Sequence, residues 1–556
     1  MTTIRFIRTI KSIKPTQLLH RLRLIIKRRL LVFFNNIISV DIKVPQKYEI
    51  NNQINLHLPF CGVDEISINN NEIQIFLLNN YKTYYDKIIW QDDSLNVGTR
   101  LWKLHLHYFN YVHQLKNSDF ERIINSWIED CRPYSQDYYK DVWNSYSLSI
   151  RIVNWITFIR MNYGKFTKTF NEKINISLLK QYRFLVSNLE LDIMGNHIVK
   201  NLLALYIFRN YFSSPVFISE IKLNNILLSV LDEQILKDGF HYELSPSYHN
   251  QVFYDLLSIL CHVNDEKTKL ILQEKLIKMW SIIDKFTFSN GDISLMNDGG
   301  LNMAPSKKWL SARLPINFDV QEHTSPFYDS SGFLSKKFKN GPELIYDYGE
   351  IGPKTLPAHA HGDIFSFELV YKKQSIIIDK GVYEYSAGVR RKNSRSTLEH
   401  NTLSIESQDQ AEFWSAFRVG RRPKIKVEQK IEKSNFVSIS ASHDGFRHLS
   451  GRPIHSRSIE FDKDTFIIED KVVSDCYVDW SINFLLHYQL KVTMAENNEF
   501  IFCLNGNTIS MSSTAKNAAI VETVHWTDIG VEHTTKAIRL TGRSMNKTIK
   551  TIIKFH

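Results

Sequence analysis

Ser458-Ile-Glu-Phe461-Asp462-Lys463-Asp464-Thr465-Phe-Ile-Ile-Glu469 decides the class of the second half of this chain. Apolar and polar residues alternate on either side of Asp462, Lys463 and Asp464, the pattern of two half-buried strands joined by a tight hairpin. Working outward, the same period of two recurs at residues 365–370, 375–379, 436–441 and 507–511. After about residue 325 the chain therefore reads as a mainly antiparallel β region. Between about residues 85 and 290 the period is different. Apolar residues three and four apart at 150–159, 202–212 and 252–260 predict helices, and turn clusters between them predict stacked helix pairs. No strict short repeat accompanies the pairs, so a consensus-repeat solenoid is not supported and an α/α toroid fits better. Helices first and strands afterwards exclude alternating βαβ units.

The chain has 556 residues, more than one core usually supports, so two or more domains are expected. At 43% hydrophobic and 23% charged it is an ordinary globular composition. Its net charge of +11 is concentrated in residues 1–30, which carry nine basic side chains, and no acid precedes Asp41. The other 526 residues hold 60 basic against 58 acidic groups, which argues against a nucleic-acid-binding surface spread over the protein. Cys61, Cys131, Cys261, Cys476 and Cys503 are far apart and form no CxxC pair, which speaks against a disulfide framework or a thiolate zinc site. There is no Walker A loop and no GxGxxG after a strand, so no nucleotide or organic cofactor is expected.

Residues 4–34 interleave apolar and basic side chains as a basic amphipathic helix does. Two readings stay open: an arm lying on an anionic membrane surface, or a helical arm packed on its own protein. The most apolar part, residues 30–40, is interrupted by Asn35 and Asn36 and is too short to span a bilayer. No small-residue cleavage site follows it, so no secretory signal is visible.

Three clusters could carry chemistry. Gly195-Asn196-His197 precedes an apolar run and reads as a helix start with Asn196 at the N-cap. In His241-Tyr242-Glu243-Leu244-Ser245-Pro246-Ser247-Tyr248-His249, Ser245-Pro246 is a strong helix start that puts Tyr248 in the first turn. There the helix dipole and any neighbouring cation would favour a phenolate able to act as a base, against the commoner half-buried tyrosine with a satisfied hydroxyl. Third, His361, Asp379 and His400 are separated by 18 and 21 residues, a spacing adjacent strands can close. His/Asp/His suits zinc, and the same residues could equally form a hydrogen-bonded His–Asp cluster.

Taken together these clusters resemble the heparinase II/III-like polysaccharide lyases, the family that includes heparin-sulfate and oligoalginate lyases. The resemblance rests on Asn196-His197, Ser245-Pro-Ser-Tyr248-His, Asn290-Gly-Asp292, Asn297-Asp298-Gly299, and the stretch from His359 to Arg422 with Asp379-Lys-Gly-Val-Tyr383-Glu-Tyr385, Arg395-Ser-Thr397 and His400-Asn-Thr402. Leu101-Trp102 through Phe109 and Trp143 through Trp155 look like its helical domain. It covers roughly residues 85–556. It implies an incomplete α/α toroid followed by an antiparallel β-sandwich, an α+β multidomain chain. The boundaries expected are an arm at 1–48, a toroid at 49–322 and a sandwich at 323–556.

The chemistry the resemblance implies is β-elimination at a uronic acid in an acidic polysaccharide. Asn196, with His197, looks like the group that neutralises the uronate carboxylate; Tyr248 and His359 look like the acid–base pair. Glu243, Arg395 and Tyr385 are expected to line the cleft, and His361, Asp379 and His400 to hold a structural zinc. The cell envelope is the expected location, periplasmic or peripheral to the membrane through residues 1–40, with a link to cell-surface polysaccharide metabolism. Two other readings are open to the sequence: a glycoside hydrolase using Glu243 and Asp292, and a non-catalytic glycan-binding protein of envelope polysaccharide assembly.

Overall fold

A computed structural model describes every residue except 1, 39, 52, 55, 57, 92–98, 316–317, 319–324, 356, 496–497 and 505. The domain boundary expected at residue 322 lies outside the described residues. By their contacts the residues form two compact units: Ile13–Gln234 with Gln251–Leu276, and Met1–Ser12 with Ile235–Asn250 and Ile277–His556.

The first unit is helical. Helix Ser145–Met161 begins where Asn144 accepts hydrogen bonds from Tyr146 N (3.1 Å) and Ser147 N (3.3 Å), the arrangement that satisfies otherwise orphaned N–H groups. Leu148, Ile152, Trp155 and Ile156 are all inaccessible to solvent. The helix packs against Lys168–Val186, capped by Thr167, and against Gly195–Tyr211. The helical segment expected at 202–212 is therefore present, except that Phe212 opens a short strand, Phe212–Ser214, paired with Glu49–Ile50. A small antiparallel sheet of Glu65–Asn69, Glu72–Leu77 and Asn80–Tyr85 belongs to the same unit.

The second unit is dominated by antiparallel sheet. One ten-stranded sheet runs in the order Ile425–Lys433, Phe436–His443, Ile454–Asp462, Thr465–Leu485, Val531–Phe555, Asn507–Ser513, Glu499–Leu504, Lys491–Met494, with Leu403–Ile405 and Asn517–Asp528 paired at its side. A five-stranded sheet contains Gln374–Ile377, Phe367–Tyr371, Pro342–Asp347, Phe333–Lys337 and Phe327–Tyr328. Alternation fixes which face is buried: Ile459 sits opposite Ile468 and Phe461 opposite Phe466, all four in one apolar core with Phe367, Leu369 and Phe484. The hairpin read from the sequence is present. Asp462 closes it by accepting from Asp464 N (2.8 Å) and Thr465 N (2.7 Å). Residues 235–250 and those after 277 join this unit because Phe240, Leu244, Phe286 and Met296 pack with Phe333, Ile345 and Val370.

A buried ion pair ties the sheet to the loops around the candidate site. Arg457 and Asp470 are inaccessible, and Arg457 donates from Nε (2.8 Å) and Nη2 (2.9 Å) to the carboxylate. Its Nη1 donates to the carbonyls of Phe365 (2.6 Å) and Asn401 (2.7 Å). His455 Nε2 meets the same Asp470 at 2.7 Å. Asp470→Ala would strand the guanidinium in the core, so urea unfolding should show a loss of about 3–5 kcal/mol. A loss below about 1 kcal/mol, the range of exposed pairs, would contradict this role.

Candidate active site

Tyr248 is the third residue of helix Pro246–Leu260, and Ser245 Oγ accepts from its N–H at 3.2 Å, so the Ser245-Pro246 start is realised. Its ring stacks on His359, with centroids 3.9 Å apart, and its hydroxyl donates to Tyr385 Oη at 3.2 Å. His359 Nδ1 lies 2.9 Å from Asp298 Oδ2. Glu243 Oε1 is 3.8 Å from His359 Nε2, and its Oε2 is 3.6 Å from His241 Nδ1. Tyr248, Glu243 and His359 each keep a small exposed area, 7–8%. Sequence-distant residues are thus gathered into one cluster.

Asp298 is the common partner. It is fully buried, and both oxygens are used: Oδ2 by His359 Nδ1 and by Arg391 Nη2 (2.9 Å), Oδ1 by His361 Nε2 (2.8 Å) and by Arg391 Nη1. Burial alone would raise its pKa, but the Arg391 guanidinium and the two imidazole hydrogen bonds hold it well below the usual carboxylate range. An ionised carboxylate only accepts. His359 therefore turns an Nδ1–H toward it, which in the neutral imidazole leaves the lone pair on Nε2.

Tyr248 is not a resting phenolate. Burial, then Tyr385 and the negative charges of Asp298 and Glu243, push its phenol well above the ordinary value, outweighing the helix N-terminus that the sequence reading relied on. Tyr385 is half-buried; burial and then the negative charge of Asp298 push its phenol up, against the hydrogen bond from Tyr248 and the Arg391 charge. Arg395 is 1% exposed and donates to the backbone carbonyls of Ala360 (3.1 Å) and Ala416 (3.2 Å). It lies behind the cluster, bracing the loop that carries His359 and His361.

His361, Asp379 and His400 form the one group of potential metal ligands found among the described residues, with donor atoms within 4.8 Å of one another. The donors fit a cation. His361 spends Nε2–H on Asp298, leaving a buried Nδ1 with no hydrogen-bond partner, and burial lowers its pKa to about 4, so that nitrogen is unprotonated at neutral pH. His400 donates from Nδ1 to Asp379 Oδ2 (2.8 Å) and from Nε2 to Ser394 O (3.1 Å). Both its nitrogens therefore carry protons. Burial opposes that charge, but the Asp379 carboxylate overcomes it and pushes the pKa up to about 9.

In the helical unit, Asn196 and His197 sit at the start of helix Gly195–Tyr211. The cap position belongs to Met194, at φ 60°, so Asn196 is inside the first turn instead of at the N-cap. That frees its amide from the capping role: Nδ2 reaches Tyr146 Oη at 3.5 Å. His197 packs at a tilt on Tyr146, with ring centroids 4.5 Å apart, and its Nδ1 is 3.0 Å from the buried Glu190. Glu190 is oriented by Asn201 Nδ2 at 3.0 Å.

Sequence reasoning did not assign roles to Asp298, Arg391, Glu190 or Phe417. Asp298 lay in a quoted motif, whereas Arg391 is hidden in the run Arg390-Arg391-Lys392. Phe417 is 41% exposed, with its ring 6.3 Å from His359 and 5.6 Å from Tyr385.

A helical region followed by antiparallel sheet, with a tyrosine and a histidine stacked against a buried carboxylate, defines a class of proton-transfer site on a toroid-and-sandwich fold. The heparinase II/III N-terminus model matches residues 71–299 and the heparinase II/III-like C-terminal model matches residues 321–554; the chain belongs to the heparinase II/III-like family. It is 26% identical to a heparin-sulfate lyase of Pedobacter heparinus over 393 residues, 64% of this chain and 55% of that protein. It is 25% identical to a heparin-sulfate lyase of Bacteroides stercoris over 293 residues, 48% of this chain and 41% of that one. The chain thus spans about half the length of these curated relatives. Among solved structures it is similar to heparinase III (18% identity, TM-score 0.67, 84% of this chain and 79% of that one) and to a heparan sulfate lyase mutant from Pedobacter heparinus (18%, TM-score 0.60, 86% and 80%). These likenesses show the fold: a helical toroid followed by an antiparallel β-sandwich.

Two outcomes follow from the ionisation states. A tyrosinate difference titration of wild type against Tyr248→Phe should show no signal lost below about pH 10, the ordinary tyrosine value; a missing signal there would contradict the neutral phenol. A metal must displace the His400 proton, so zinc affinity measured by chelator competition should rise roughly tenfold per pH unit up to about pH 9. A flat profile would contradict the His400–Asp379 geometry. Without metal, that raised pKa makes the pair fully stabilising below the ordinary 6.5, with the contribution lost as pH rises through about 9.

Proposed function

We propose that this chain is a polysaccharide lyase, a carbon–oxygen lyase that cleaves a uronic-acid-containing glycan by β-elimination. The observation that carries the reading is Tyr248 stacked on a His359 whose tautomer is set by Asp298, in a member of a family whose curated relatives here are named heparin-sulfate lyases. A glycosaminoglycan or related acidic polymer is the substrate class.

In this mechanism His359 Nε2 takes the proton from C5 of the uronate, and Asp298 stabilises the imidazolium that results. Charge builds on the uronate carboxylate as the C5 proton leaves, and neutralising it is the role the family resemblance implies for Asn196 and His197. The neutral phenol of Tyr248 gives its proton to the departing O4, completing the elimination, and Tyr385 orients that phenol. Glu243 lines the cleft beside His359, and the exposed face of Phe417 packs against a sugar ring. Arg395 acts from behind by fixing the loop. His361, Asp379 and His400 would hold a zinc, whose contribution would be structural, to the order of the loops next to His359. A hydrolase using Glu243 and Asp292 is less well supported, since Asp292 is engaged by Asn290 Nδ2 at 2.8 Å and Glu243 faces two histidines. We place the enzyme in the cell envelope, with residues 1–40 as the segment that meets a membrane surface.

Incubation with uronate polymers should give products carrying a 4,5-double bond, detected by ultraviolet absorbance. Tyr248→Phe and His359→Ala should each lower kcat by about a hundredfold to ten-thousandfold. Saturated reducing ends, or wild-type rates in both variants, would refute the elimination.

A further inference from the structure

Helix Pro15–Ile38 docks by one side, on which polar groups surround a buried leucine. Its buried positions are Gln17 and Leu24. Beside them His20 Nε2 meets Leu189 O (2.9 Å), Arg21 Nε meets Asp192 Oδ2 (3.3 Å), and Lys27 Nζ donates to Ser187 O (2.9 Å) and Asn188 Oδ1 (3.1 Å). The bonds made by this side tie the helix to its own unit, so the open question from the sequence has a first answer: one side of the arm packs on its protein, through Leu24 and the polar groups around it.

The other side is apolar and turned to solvent. Leu19, Leu22, Ile26, Leu30, Phe33 and Ile37 follow one another in steps of three and four, which puts them on one face. They are 49–70% exposed. A continuous apolar stripe of this length on a surface marks something that covers it. Arg23 and Arg29 flank the stripe and are exposed, and no acidic residue occurs anywhere in the helix.

Charge selects the occupant. A second copy of the helix laid on the stripe would bring Arg23 and Arg29 against like charges with no carboxylate on either helix to pair them. An anionic lipid surface supplies both halves of the complement, hydrocarbon for the stripe and negative headgroups for the arginines. Among the described residues no helix is long and apolar enough to cross a membrane, so the geometry required is a helix lying in the plane of the interface.

We propose that helix Pro15–Ile38 is an interfacial anchor: its solvent-facing stripe from Leu19 to Ile37 seats the protein on an anionic membrane surface, with Arg23 and Arg29 at the headgroups. This rests on, and deepens, the envelope placement proposed above. The docked side stays bound to the helical unit, so anchoring needs no rearrangement of the arm.

The test is flotation of the full chain with phosphatidylcholine vesicles made with or without phosphatidylglycerol. Wild type should partition at least about tenfold more onto the anionic vesicles, and Ile26→Glu/Phe33→Glu should lose about tenfold or more of that binding with an unchanged melting temperature. Arg23→Glu/Arg29→Glu should lose binding to anionic vesicles as well. Equal partition of wild type and Ile26→Glu/Phe33→Glu would overturn the proposal. So would a lipid-free dimer that this substitution dissolves, since the stripe would then belong to a second copy. Formation of unsaturated products from soluble uronate oligomers is followed alongside: its absence with lipid binding intact counts against the lyase alone, and the reverse counts against the anchor alone.

Discussion

One buried carboxylate organises the candidate site. Asp298 has no contact with solvent, yet its oxygens receive both imidazoles, His359 and His361, and a two-pronged guanidinium from Arg391. Taking a carboxylate out of water costs several kcal/mol unless an opposite charge and hydrogen bonds replace the lost solvation. Arg391, itself 1% exposed, supplies the charge. Because Asp298 then stays ionised, each imidazole must turn an N–H toward it. The same acceptor thereby puts the lone pair of a neutral His359 on Nε2 and leaves His361 with one on Nδ1, so a single residue sets the tautomer of both rings.

Neighbouring carboxylates show that the cation makes the difference. Glu368 is also buried, near the negative Asp379, and its pKa is pushed up to about 8 in spite of hydrogen bonds from Ser294 and Leu295 N. Asp363, two residues from His361, is pushed up to about 6 by burial, with His400 opposing the rise. Asp379 falls below its ordinary value, because His400 outweighs its burial. Burial raises all of these groups, and only Asp298 and Asp379, each facing a strong positive partner, fall below the ordinary carboxylate value. The loops bearing them are fixed from the sheet side by Arg457, whose bonds to the carbonyls of Phe365 and Asn401 are made from the far side of the core.

Much of this was legible in the sequence where the signal is local. Asp462-Lys463-Asp464 announced its hairpin, and Ser245-Pro246 announced a helix that does begin there. His361, Asp379 and His400 could be grouped because strand spacing and ligand chemistry point the same way. What escaped depends on burial, which no short pattern records. Arg390, Arg391 and Lys392 read as one solvated charge run, and only the fold selects Arg391 for the interior while Arg390 keeps 44% of its side chain exposed. Tyr248 looked poised to ionise because the helix dipole is visible in sequence and the surrounding carboxylates are not. Asn196 looked like a cap, but the positive-φ backbone at Met194 and Gly195 starts the helix two residues earlier. The arm read as amphipathic, and nothing in its pattern told which side would face the protein.

Asp298→Asn tests the central claim most directly, because it removes the charge while keeping the shape. In a purified variant with an unchanged fold by circular dichroism, zinc affinity and the rate of unsaturated-product formation are measured on the same sample. The account expects both to fall together, zinc affinity by about tenfold or more and kcat by about a hundredfold or more, with KM little changed. Wild-type metal affinity and wild-type kcat in Asp298→Asn would contradict it.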